Sequence, residues 1–185
     1  MNRLRPLALA ALAPALACRQ ERPADSPSTD STPTAGQSAW TVTPTAFGSI
    51  RFGWDLAELN AATRDSVQPA YQMSADCDHV RAGIMPAGTL LMVVQDTVVR
   101  VDVDTTGILT AEGAGVGDTE ASVLERYEGR VRVEPHPYTG PEGHYLIVTP
   151  PDETLGRIIF ETDGRRVDRY RAGRLPPVEW IEGCA

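Results

Sequence analysis

Three short stretches carry residues whose types and spacing could do chemistry. Asp102-x-Asp104-x-Thr106-Gly107 sets oxygen ligands at alternate positions ahead of a glycine, the opening spacing of a twelve-residue calcium loop. The twelfth position, where such a loop needs a bidentate Glu, is Gly113, and Glu112 falls one short. Asp102, Asp104 and Thr106 therefore make a weak calcium candidate, set against a plainer reading as the solvated face of a strand. Asp76, Asp78 and His79 surround Cys77 and could ligate a metal, although a polar loop around a cysteine looks the same. His136 and His144 bracket a turn-rich loop, and a third ligand is not evident. There is no Gly-x-Ser-x-Gly, His-Glu-x-x-His, Cys-x-x-Cys or phosphate-binding glycine loop, and nothing marks two carboxylates as a pair. The residues thus point to no catalytic set and no cofactor.

The cysteines say more. Asn2-Arg3-Leu4-Arg5 is a short positive segment, followed by an apolar run from Pro6 to Ala17 that is too short to span a bilayer. Small residues then precede Cys18. Ala15-x-Ala17 suits an ordinary signal peptidase, which would release a secreted or soluble periplasmic protein. Ala15-Leu16-Ala17-Cys18 also resembles the lipobox of bacterial lipoproteins, with Ala15 where that family prefers Leu; the resemblance implies lipidation of Cys18. A secreted chain with three thiols leaves one over. Lipidation of Cys18 removes the odd one and leaves Cys77 and Cys184 to pair in an oxidising compartment.

These residues divide the chain into a signal peptide at 1–17, a tether at 18–38 and a globular domain at 39–185. The tether is rich in Pro, Ser, Thr and Asp, lacks aromatic and large aliphatic residues, and is expected to stay disordered. A flexible chain of that length spans ~25 Å.

Within the domain, Phe52-Gly53-Trp54-Asp55-Leu56-Ala57-Glu58-Leu59 returns 64 positions later as Val116-Gly117-Asp118-Thr119-Glu120-Ala121-Ser122-Val123. Asp55 and Thr119 are good N-caps, and Asp55 with Glu58 is spaced as a capping box. Helices of about ten residues are expected to end near Arg64 and Tyr127, their apolar faces formed by Leu56 and Leu59, and by Val123, Leu124 and Tyr127. Strand-forming sequence follows each helix. Residues 89–94 and 98–103 form one expected hairpin, with Val99, Val101 and Val103 on one face and Arg100, Asp102 and Asp104 on the other. Residues 157–162 and 165–170 form another, turning at Asp163-Gly164. Further strands are expected at 131–134, 145–149 and, more weakly, 80–84. The expected class is α+β: two tandem helix–antiparallel β-meander units forming a sheet with the helices on one face.

A glycine leading into a short capped helix and then a meander, twice over in a secreted chain, resembles the β-lactamase-inhibitor-protein fold. Its single-unit version is similar to the small lipoprotein of the bacterial outer-membrane assembly machine. The phrases at Ile50–Leu59 and Val116–Val123 carry this resemblance, with Asp55 in place of the usual Thr and Asp118 in place of an apolar residue. It implies a binding or scaffolding role rather than catalysis, and no partner-contacting residue carries over.

Composition narrows the partners. Seventeen basic and 25 acidic residues leave a net charge of −8, which becomes −10 once cleavage removes Arg3 and Arg5. Nucleic-acid binding depends on clustered cations and is not expected. The aromatic residues Trp40, Trp54, Tyr71, Tyr138, Tyr145, Tyr170 and Trp180 are few. Of these, Tyr71, Tyr138, Tyr145 and Trp180 are the candidates for a partner-binding face. The expectation is an envelope lipoprotein attached to the membrane through its N-terminal lipid and binding an envelope protein. A small-ligand or calcium-binding periplasmic module is the alternative. Arg19 after the cysteine, where inner-membrane lipoproteins often carry Asp, leans the expectation to the outer membrane facing the periplasm.

Overall fold

The computed structural model describes residues 39–184 except 72, 73 and 75. The signal segment, Cys18 and the tether lie outside the described residues, as does the side chain of Tyr71. Among the described residues there are eleven strands and two α-helices. Strands β1 (Val42–Thr43), β2 (Ala46–Phe47) and β3 (Ile50–Arg51) form a small antiparallel sheet. Helix α1 (Leu56–Thr63) leads into β4 (Gln68–Tyr71), β5 (Cys77–Arg81), β6 (Thr89–Val94) and β7 (Thr97–Val103). Helix α2 (Glu120–Arg126) leads into β8 (Val131–Pro135), β9 (His144–Val148), β10 (Arg157–Thr162) and β11 (Val167–Gly173). The last eight strands make one antiparallel sheet in the order β4-β5-β6-β7-β11-β10-β9-β8, so the two meanders meet through β7 and β11.

This corrects the expected α+β class: the protein is mainly β. The N-caps act as their residue types dictate. Asp55 accepts from the Glu58 amide at 2.8 Å while Glu58 reaches back to the Asp55 amide at 2.9 Å, and Thr119 caps the Ser122 amide. Yet α1 and α2 have only eight and seven residues, and their buried apolar anchors are Leu59 and Val123. Helices that short bury too little to form a layer. Leu124, expected on the buried face of α2, is exposed. The β-branched runs that follow them dominate instead.

The two glycine phrases nevertheless make equivalent bonds. The Gly53 amide donates to the Val98 carbonyl and the Val98 amide to the Trp54 carbonyl; likewise Gly117 donates to Val167 and Val167 to Asp118. Each phrase thus clips a helix start onto the beginning of β7 or β11.

One face of the large sheet is apolar and packs against the small sheet, both helices and the loop after β7. Phe47, Ile50, Leu59, Leu91, Val101, Tyr127, Leu146, Ile158, Phe160 and Tyr170 are buried together there. Two local expectations shift. A register break between Met92 and Val93 puts Val98, rather than Val99, beside Val101 and Val103 in this core. The turn at Asp163-Gly164 is longer than two residues, because the Asp163 carboxylate accepts from the Arg165 and Arg166 amides, both at 2.8 Å. Those bonds also hold that carboxyl below its ordinary range. In the large sheet a tight two-residue turn lies at Gln95-Asp96, where both residues have positive φ. The sheet's edges are blunted by Pro69 on β4 and by Arg132, Glu134 and Pro135 on β8.

Candidate functional site

The second face of the large sheet holds the unusual chemistry. Alternation brings His79 and Arg81 of β5, Leu90 and Met92 of β6, Arg100 and Asp102 of β7, Arg169 and Arg171 of β11, Ile159 and Glu161 of β10, and Tyr145 and Ile147 of β9 to this side. A C-terminal strap from Arg174 to Cys184, with a 3₁₀ turn at Pro177–Glu179, crosses part of it. Val178 of the strap is fully buried against Tyr145, Ile147 and Ile159. The Cys77–Cys184 disulfide ties the strap's end to β5, as the cysteine count implied.

Two buried guanidinium groups hold the strap's backbone. Arg100 donates to the carbonyls of Pro177 at 3.1 Å and Trp180 at 2.8 Å, and pairs with Asp102 through Nε and Nη2. Arg171 donates to the Val178 carbonyl at 2.7 Å and pairs with Glu161. Each cation therefore satisfies strap carbonyls on one side and a carboxylate on the other, the condition under which a buried charge is tolerated. Arg100, expected on a solvated strand face, is only 4 % exposed. Period-two alternation separates the faces of a strand but says nothing of a distant segment that covers the polar one.

The histidines are each set beside a carboxylate. His136 accepts at Nδ1 from the Tyr138 and Thr139 amides, which places its proton on Nε2, 3.4 Å from Glu161 Oε2. His144 Nδ1 lies 2.9 Å from Glu120 Oε1, and that carboxylate also accepts from Thr162, so the start of α2 is fastened to β9 and β10. His79 Nε2 is 3.8 Å from Asp102 Oδ2; burial is the first cause of its lowered pKa, Asp102 opposing and Arg100 adding to it.

The partner-binding candidates fall in different places. Tyr138 is 66 % exposed, and its hydroxyl donates to Glu182 of the strap at 2.7 Å; that bond and the carboxylate's charge raise its pKa. Trp180 is 38 % exposed on the strap itself. Tyr145 is buried, stacked on His136 at 4.5 Å between ring centroids and facing the Arg171 guanidinium. Tyr71 lies on edge strand β4. The apolar side chains of Leu175 and Ile181 were missed in the sequence; they are also exposed on the strap. Ile181 and Glu179 border a shallow hollow of about 220 Å³ with Arg132, Glu134 and Ile147.

Beside the strap the face stays open as a cleft of about 610 Å³, lined by His79, Arg81, Leu90, Asp104, Arg169 and Arg171 among others. The calcium candidates divide here. Asp102 and Asp104 both line the cleft, but Asp102 is engaged by Arg100. Thr106 lies beyond it in the loop. Among the described residues no cluster of three or more acidic, histidine or cysteine side chains could hold a metal ion. His79 with Asp76 and Asp78, and His136 with His144, form no such cluster either. No described helix is long and apolar enough to cross a membrane. No family model matches the chain, and no curated protein or solved structure resembles it significantly.

Proposed function

We propose that the protein is a non-catalytic, lipid-anchored component of the bacterial cell envelope whose globular domain docks a partner protein on the strap side of its large sheet. Cys18 supplies the anchor, the segment at 18–38 the reach, and Arg19 favours the outer membrane facing the periplasm. The observation that supports docking is the strap. Leu175, Trp180 and Ile181 point their apolar side chains to solvent from a backbone held by Arg100, Arg171 and a disulfide, with Tyr138 bonded to the same strap. Apolar side chains on a fixed backbone bind at little further entropic cost, and Trp and Tyr are the residue types that most often dominate such contacts.

Substitution tests this. Cells carrying Trp180→Ala with Ile181→Ala are crosslinked and the protein is purified with its attached neighbours, beside wild type and an Asp168→Ala control on the far end of β11. The expected result is one abundant partner recovered with wild type and the control but depleted about tenfold or more in the double variant. Equal recovery with all three chains would overturn the docking surface.

A further inference from the structure

We propose that the open cleft beside the strap binds a small dipolar molecule, one bearing an ammonium group and a carboxylate or phosphate group. The proposal is independent of the docking surface, because it uses the uncovered half of the face. Most charges there are already matched in pairs: Arg171 with Glu161, and Asp102 with Arg100. Three are not. The Asp104 carboxylate makes no hydrogen bond or ion pair with the described residues, although Arg169 lies one step beyond the Val103–Tyr170 register pair on the neighbouring strand. Arg169 turns instead to Glu161, with Nε 3.4 Å from Oε2, and leaves its outer guanidinium nitrogens open. Arg81 makes one weak contact, 3.4 Å to the Met85 carbonyl.

Position as well as charge is built in. The Asp104 amide donates to the Gly88 carbonyl at 2.9 Å. A Cβ on Gly88 would stand 2.5 Å from Asp104 Oδ1, so glycine is needed for the carboxylate to lie where it does. Leu90 lies between the strands carrying Arg81 and Asp102 and gives the cleft an apolar floor. With neighbouring strands ~4.8 Å apart, Arg81 and Asp104 stand on strands about 10 Å apart, within reach of a small molecule lying across Leu90. An ammonium group would meet Asp104, an anionic group would meet Arg81 or Arg169, and the molecule's carbon skeleton would rest on Leu90. Charge-assisted hydrogen bonds at both ends make recognition depend on both groups together. The volume lies within the range of small-molecule sites.

Titration calorimetry on the full-length mature, disulfide-bonded protein tests the proposal. Leucine and O-phosphoethanolamine serve as dipolar probes; acetate, inorganic phosphate and methylammonium carry one charge each. The expected result is heat from at least one dipolar probe, none comparable from the single-charge ions, and affinity reduced about tenfold or more by Asp104→Asn and by Arg81→Gln. Unchanged melting temperatures verify that the variants fold, and Arg169→Gln replaces Arg81→Gln if the latter does not. Leucine and phosphoethanolamine distinguish a carboxylate ligand from a phosphate one. Absence of binding by both dipolar probes overturns the proposal, as does equal binding by a single-charge ion or by the variants.

Discussion

Arg100 and Arg171 are the residues on which the second face of the sheet depends. Each is surrounded by oxygen: strap carbonyls above and a carboxylate beside it. Arg100→Ala would leave Asp102 and two carbonyls without their cation, and is expected to lower unfolding free energy by about 3–5 kcal/mol in urea titration. Replacing Arg100 and Asp102 together by Met and Leu is expected to cost less than that single change, since no buried charge is left behind. His79 adds a pH dependence. Burial keeps its folded pKa below the ordinary 6.5, so below about pH 6.5 the unfolded chain takes up more protons than the folded one and stability falls. Between about pH 7.5 and 5, wild type should therefore lose more melting temperature than His79→Gln. Equal slopes would show that His79 carries no such linkage. At this scale the sequence was only partly legible. Asp55 and Glu58 announced a capping box because both partners lie within four residues. Nothing near Arg100 announced Pro177 and Trp180, some eighty residues away.

The strands were legible as elements because their signals are local: β-branched runs bounded by turn residues. Strand β6 at Thr89–Val94 and β10 at Arg157–Thr162 follow the runs that predict them. Helix existence was legible too, but not helix weight, because cap residues mark where a helix begins and not how much surface it buries. Asp55→Ala is expected to destabilise the fold by about 1 kcal/mol, the ordinary cost of a lost N-cap. The strap was invisible as an element, since Leu175 to Cys184 has neither helical nor alternating periodicity; Cys184 alone hinted that this tail was tied down. The disulfide closes a separation of 107 residues. Cys184→Ser is expected to cost about 4–5 kcal/mol on the chain-entropy account, read as a lower urea midpoint. It should also expose Val178 and the arginines beneath it to proteolysis and solvent. A midpoint unchanged from wild type would mean that the strap holds through Arg100, Arg171 and Val178 alone.

Across the whole molecule, the division of labour follows from two sheet faces of opposite character. The apolar face meets the small sheet, helices and loops and supplies the core; the polar face is part strap and part open cleft. The domain is proposed to hang from a lipidated Cys18. The acyl anchor has its own check: intact mass of the mature protein extracted from membranes should exceed that of the chain beginning at Cys18 by the mass of the lipid. A mass matching the bare chain would make the protein a soluble secreted one and leave the docking surface unaffected. Whether the strap docks a partner is read by site-specific photocrosslinking in the native cells. A photoreactive side chain at Trp180 or Tyr138 should join the domain to one and the same partner, while the same group at Asp168 should not. Crosslinks that are absent at both strap-side positions, or equally strong at Asp168, would show that the strap is not the docking surface.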